Sequence, residues 1–200
     1  MLFVGDLRHY RVETTLDGGM RLSIRAIRPD DKELLAEHFE RLSRGSQYQL
    51  FFGFHGEFTR QELEYMANPN FLEHAAIVAT VCDSEMDEYI VGASRYVALP
   101  DGQYAEFALS VLDQHRRKGI GSLLLLHLAR LAEHWGVREL HADALTSNRN
   151  ALSFLGRRGF RSIGTSASVH GLSRSLASGS SALAVARPVG ENAAGPAEKP

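Results

Sequence analysis

Between residues 10 and 28, apolar and polar positions alternate in two short stretches, and Leu16-Asp17-Gly18-Gly19 between them holds the Asp-Gly and Gly-Gly steps of a tight hairpin. Two strands are therefore predicted to open the chain. At Pro29-Asp30-Asp31 the period lengthens. Leu34, Leu35, His38, Phe39 and Leu42 recur at helical spacing, with Asp30 placed to cap the first turn and Gly45-Ser46 to close the last. Tyr48, Phe51, Phe52, Phe54 and Phe58 follow, bulk that reads as core. They lead into a second helix over 59–66 that Asn68-Pro69 ends.

The periodicity of two returns over 75–82 and 89–99, two strands joined by an acidic, solvated turn at 83–88 and followed by a Pro-Asp-Gly turn at 100–102. Residues 104–112 read as a further strand, 121–135 as an amphipathic helix, 139–145 as a strand and 148–158 as a short helix ended by Gly159. A strand, a helix and a second strand in that order require the two strands to lie parallel. After Phe160 Ser, Ala and Gly dominate, and from Ser178 onward neither periodicity nor apolar bulk remains. Such a segment cannot offset its ordering entropy. The expected organisation is one domain over 1–177 and a disordered tail over 178–200.

Composition narrows the function classes. Two hundred residues, 44% hydrophobic and 23% charged, suit one ordinary core, and a net charge of −2 gives no overall basic field of the kind nucleic-acid binding needs. Any anion site must then be a local patch. Cys82 is the only cysteine, which excludes an intramolecular disulfide and a cysteine-rich zinc site. No run is apolar and long enough to cross a bilayer or to form a secretion signal, so a soluble cytoplasmic protein is expected. His127 and His134 share a helix seven residues apart with no carboxylate spaced to complete a metal site, and are read as surface or groove residues. Ser110 and Ser153 have no His-Asp pattern of the nucleophile-elbow kind, so no covalent mechanism is expected.

One segment concentrates the chemistry. Arg116-Arg117-Lys118-Gly119-Ile120-Gly121 lies between a predicted strand and a predicted helix, where backbone N–H groups converge at a helix N-terminus and favour an anion. Gly119 and Gly121 are expected to take positive φ and admit a pyrophosphate close to the backbone. Neither the Lys-Ser/Thr ending of a nucleotide-hydrolase loop nor the three-glycine dinucleotide fingerprint is present. A basic surface turn would use the same residues.

Arg116 to Gly121 resembles the Arg/Gln-x-x-Gly-x-Gly/Ala acetyl-CoA signature of the GNAT superfamily of N-acetyltransferases. Asn148-Arg149-Asn150-Ala151-Leu152 with Gly159-Phe160 resembles that superfamily's later helix and its Gly-Phe ending. Arg41-Leu42-Ser43, Tyr48, Phe51-Phe52 and Ala105-Glu106-Phe107-Ala108 resemble the acyltransferase domain of bacterial Pat-type protein-lysine acetyltransferases, and the resemblance spans residues 10–164. It implies an α/β fold of the α+β kind, with a mixed, mostly antiparallel central sheet flanked by helices. That sheet would splay between the strands at Tyr104 and Glu139 to hold the pantetheine arm. It further implies acetyl-CoA as donor, held by backbone amides of Val111, Arg116, Arg117, Lys118, Gly119, Ile120, Gly121 and Ser122 with the Asn148 side chain. The acceptor would be a primary amine, on a protein lysine or a small molecule. A module that binds acyl-CoA without turnover is the contrasting function.

Within that frame Glu106 is the candidate general base, because an ammonium has no lone pair with which to attack a thioester. Ala105, Phe107, Ala108 and Leu109 are expected to surround it with apolar surface, and an ion pair with Arg95 is the competing role. Two positions depart from the family pattern. Leu155 stands where many members carry a Tyr that protonates the departing thiolate, and Arg117 stands where many carry Gly.

Overall fold

A computed structural model describes residues 6–82 and 88–176. The acidic turn, Glu88 apart, and the 178–200 segment expected as a tail lie outside the described residues. The first hairpin forms as its turn residues dictate, pairing β1 (Arg11–Thr15) with β2 (Arg21–Ala26) in antiparallel register, Val12 opposite Ile24. β3 (His74–Cys82), β4 (Glu88–Ala98) and β5 (Tyr104–Val111) extend the meander. β6 (Glu139–Leu145) then lies parallel to β5, and every other neighbouring pair is antiparallel. A second hairpin, β7 (Arg161–Ser166) and β8 (Val169–Ser175), completes an eight-stranded sheet in the order β1-β2-β3-β4-β5-β6-β8-β7. This is the mixed, mostly antiparallel sheet expected.

Helices cover both faces. α1 (Lys32–Glu40), α2 (Arg44–Phe51) and α3 (Arg60–Ala67) lie on one side, and α4 (Ile120–His134) and α5 (Arg149–Arg157) on the other. β3 shows why both faces are apolar. Ile77 and Ala79 enter the core beneath α4 while Ala76 and Val78 enter the core beneath α1, so a period of two feeds two layers from one continuous hydrophobic run. Gly92 of β4 sets how close α4 comes: a Cβ there would lie 2.9 Å from Leu124 Cδ1 and 3.2 Å from Ile120 Cγ2.

Several expectations need correction. Asp30 does not cap α1. The neighbouring Asp31 takes the working position, accepting from the Arg28 amide at 2.7 Å and receiving the guanidinium of the buried Arg25 on both oxygens at 2.7 and 2.8 Å. A buried cation needs such a bidentate partner, which fixes Asp31 to β2. Gly45 and Ser46 do not end a helix but lie inside α2, because Ser43 caps it by accepting from the Ser46 amide at 3.3 Å. The aromatic stretch is only partly core. Phe51 and Phe58 pack around Phe39, whereas Tyr48, Phe52 and Phe54 are exposed. His127 is not at the surface: it is buried under β1's approach, hydrogen-bonded to the Tyr10 hydroxyl, while His134 is exposed.

Candidate active site

β5 and β6 pair at only three positions, Tyr104 with Glu139, Ala105 with Leu140 and Glu106 with His141. Beyond Glu106 the strands part. β5 follows β4 as far as Val111 opposite Gly92, while β6 follows β8 as far as Leu145 opposite Val169. The phase of the ladder decides what lines the wedge between them. Leu112 donates its amide to the Val91 carbonyl at 2.9 Å, so even-numbered residues of β5 turn their backbone groups toward β4. Phe107 therefore gives its amide to the His141 carbonyl as the last rung of the β6 ladder, and Leu109 and Val111 turn theirs into the wedge. The Val111 carbonyl shows this directly, accepting from Arg116 Nε at 3.1 Å rather than from a strand. Of these two, the sequence points to Val111 alone. Leu109 offers its backbone, and an apolar side chain carries no signal of that.

The wedge opens toward the loop that precedes α4. Here the left-handed positions are Arg117 at φ +64° and Gly119 at φ +92°, whereas Gly121 lies within α4 and needs no positive φ. Gly121 serves by size, since a Cβ would stand 3.4 Å from Leu109 Cδ2 and 3.6 Å from Phe154 Cζ. The Arg116 amide is used by the Asp113 carbonyl at 3.3 Å and the Ser122 amide by the Gly119 carbonyl at 2.9 Å. Among the described residues no backbone carbonyl accepts from the amides of Arg117, Lys118, Gly119, Ile120 or Gly121. Five consecutive open amides at a helix N-terminus form an anion seat.

The cations around that seat are not equivalent. Arg116 is exposed but committed: it pairs with Asp113 at 2.8 Å and donates to the Ser46 hydroxyl at 2.9 Å. Asp113 in turn accepts from the Ser43 amide at 3.0 Å and from Ser46 at 2.7 Å. Partial burial raises the Asp113 carboxyl, but those hydrogen bonds and Arg116 outweigh it and leave the group below the ordinary range. Arg116 thus clasps the loop to α2 instead of facing an anion. Arg117 and Lys118 are exposed and keep their charge available. Asn148 caps α5, its side-chain oxygen accepting from the Ala151 amide at 3.1 Å, which leaves its NH2 group for a ligand. The Ser122 hydroxyl accepts from Arg158.

Glu106 stands at the vertex, the last residue of β5 paired with β6. It is exposed, and the expected apolar enclosure is absent because Ala105 and Phe107 are buried on the opposite face of the strand. Arg95 of β4 lies diagonally across from Glu106, yet no ion pair joins them among the described residues. Around the vertex the open face is polar. Tyr104 and Glu139 sit beside it, with His141 3.1 Å from Glu139 and its ring 5.3 Å from that of Tyr104. Leu155 is 5% exposed and packed into the core, offering no hydroxyl. One pairing escaped the sequence entirely: Ser110 does have a histidine, His38 of α1, with Nε2 2.8 Å from its hydroxyl. The two are seventy-two residues apart in sequence and meet only through the packing of α1 on the sheet.

Residues 43–160 match the Acetyltransferase (GNAT) family. Acetyltransferase PA5475 of Pseudomonas aeruginosa is 30% identical over 151 residues, which cover 72% of this chain and 80% of that one. Among solved structures, the GNAT domain of S. lividans PAT superposes with a TM-score of 0.76 at 24% identity, over 82% of this chain and 96% of that domain. The PaiA N-acetyltransferase of Thermoplasma acidophilum, in complex with coenzyme A, superposes with a TM-score of 0.62 at 19% identity, over 77% and 98%. Likeness at these identities is likeness of fold.

Proposed function

The chain belongs to the acetyltransferase (GNAT) family and is an acetyl-CoA-dependent acetyltransferase; from that premise we propose that it transfers the acetyl group directly to a primary amine, a protein lysine ahead of a small molecule, in the cytoplasm. The observation that carries this reading is the wedge, in which a strand edge with open amides leads from an anion seat to a carboxylate. Pantetheine contains two amides and would continue the ladder along the open edge of β5 from Val111 toward Leu109, while the pyrophosphate would sit on the amides of Arg117 through Gly121. The NH2 group of Asn148 is free to meet the pantetheine arm. This orientation brings the thioester toward Glu106. The exposed polar face around the vertex supports an acceptor that arrives from solvent on a flexible arm, as a lysine of another protein does.

The chemistry follows from the groups present. Glu106 takes a proton from the incoming ammonium through water, and the freed nitrogen pair attacks the thioester carbonyl carbon. The carbonyl oxygen gains negative charge and accepts from a β5 amide; the C–S bond then breaks, and coenzyme A leaves as a thiolate that takes its proton from water. A thiolate is a tolerable leaving group, so the absence of a hydroxyl at Leu155 does not forbid the step.

Glu106→Gln tests the reading, because it keeps size and polarity but cannot take the proton. Turnover is expected to fall by ~10²-fold or more, with acetyl-CoA affinity within a few-fold and part of the rate restored at high pH. Near-normal turnover at neutral pH in a folded Gln variant would sink it. The buried Leu155 favours a second reading, an acyl-CoA-binding regulatory module without turnover. Release of coenzyme A only when an amine is supplied separates the two.

A further inference from the structure

His38 is 1% exposed, and its two ring nitrogens have fixed partners: Nδ1 lies 3.1 Å from the Ile90 carbonyl oxygen and Nε2 lies 2.8 Å from Ser110 Oγ. A carbonyl oxygen can only accept, so Nδ1 carries a hydrogen. Burial, with Arg41 adding to it against the opposing bond to Ile90, lowers the imidazole to about 4, so the ring is neutral and Nε2 is a lone pair. Ser110 must then donate its single O–H proton to His38. What remains on the hydroxyl is an oxygen with lone pairs only, half-buried on β5.

The position of that oxygen gives it a task. Ser110 follows Leu109, whose amide opens into the wedge, and by the period of two its side chain lies on the face of Glu106, opposite the Leu109 side chain that meets Gly121. Four residues of strand separate the Cα atoms of Glu106 and Ser110 by roughly 13 Å. A thioester carbonyl held at the Leu109 amide therefore lies beside Ser110 and beyond direct reach of Glu106, which must work through water. We propose that Ser110 is a second catalytic residue, an acceptor oxygen that receives an N–H of the incoming amine and aims its lone pair at the thioester carbon, and that His38 is the positioning residue that orients the Ser110 proton away from the substrate. This rests on the amine acetyltransferase reading above. No bond to Ser110 forms: the nitrogen pair goes to carbon, the C–S pair to sulfur, and the surplus proton to Glu106 through water.

Steady-state kinetics of the full chain with acetyl-CoA and a responsive amine test it. Ser110→Ala is expected to raise the amine KM about tenfold and lower kcat about tenfold, with acetyl-CoA affinity within three-fold, while Ser110→Thr, which keeps the hydroxyl, recovers most of both. His38→Phe is expected to give the same amine-specific loss, and the double variant no further one. If His38→Phe does not fold, the Ala and Thr pair at Ser110 decides alone. Unchanged amine KM and kcat in folded Ser110→Ala overturns the proposal, as does loss in Ser110→Thr equal to that in Ser110→Ala. Acetylated Ser110 trapped by mass spectrometry in the absence of amine overturns it in favour of a nucleophile. If the wild type binds acetyl-CoA yet no amine provokes release of coenzyme A, the acetyltransferase reading itself fails and this one falls with it.

Discussion

Gly119 and Gly121 look alike in the sequence and do different things. Gly119 enters the left-handed region that a side chain resists, and Arg117 enters it despite its side chain, holding a conformation that costs on the order of 1 kcal/mol. The family's preference for Gly at the position of Arg117 is thus a preference about backbone, and the loop keeps its shape without it. Gly121 is helical and matters because Leu109 and Phe154 leave little room above it. Gly121→Asp adds both bulk and a negative charge beside the anion seat, so acetyl-CoA affinity measured by calorimetry should weaken by ~1.4 kcal/mol or more, about tenfold, in a folded variant. Unchanged affinity would remove the phosphate assignment.

Among the elements, those with strong periodicity were legible and those held by distant partners were not. α4 and β6 were read to within a residue of their ends because apolar side chains repeat at 3.6 or 2 along them. β7 and β8 were missed: every residue of β7 is exposed and small polar side chains give no alternation, so its place comes from pairing with β8 alone. α2 was misread for a related reason. Gly and Ser argue against a helix locally, but Ser43 caps it and Asp113, seventy residues away, holds its first turn through Ser43 and Ser46. In the candidate site, the position of the loop before α4 and of Glu106 on β5 was legible in the sequence, whereas the open amide of Leu109 and the histidine behind Ser110 depend on ladder phase and on packing. Asp113→Ala should therefore cost about 1–2 kcal/mol of stability, seen as a lower denaturant midpoint at unchanged m-value, since it strands the Ser43 amide and frees Arg116. An unaltered midpoint would show that α2 docks without the clasp.

At the scale of the whole molecule, three buried imidazoles set an acid limit. Burial lowers His38, His74 and His127 to about 4 each, helped by Arg41, Arg95 and Arg130 respectively. The unfolded chain takes up protons near pH 6.5 that the folded one refuses until about 4, so stability rises with pH across that window and is lost as pH falls through it. Between pH 7 and 5 the loss should reach about 5 kcal/mol, a fall in melting temperature on the order of 10–20 °C, well before the low-lying Asp113 carboxyl takes up its proton. A melting temperature flat from pH 7 to 5 would contradict it. The wedge has a consequence of another kind. On the proposed placement of the donor, the open strand edge and anion seat would grip parts that acetyl-CoA shares with free coenzyme A, so nearly all of that binding energy would be common to donor and spent product. Such a grip cannot tell a charged carrier from a discharged one. Product would then compete with donor on close to equal terms, and the rate at a given total coenzyme pool would follow the acetylated fraction of that pool rather than its size.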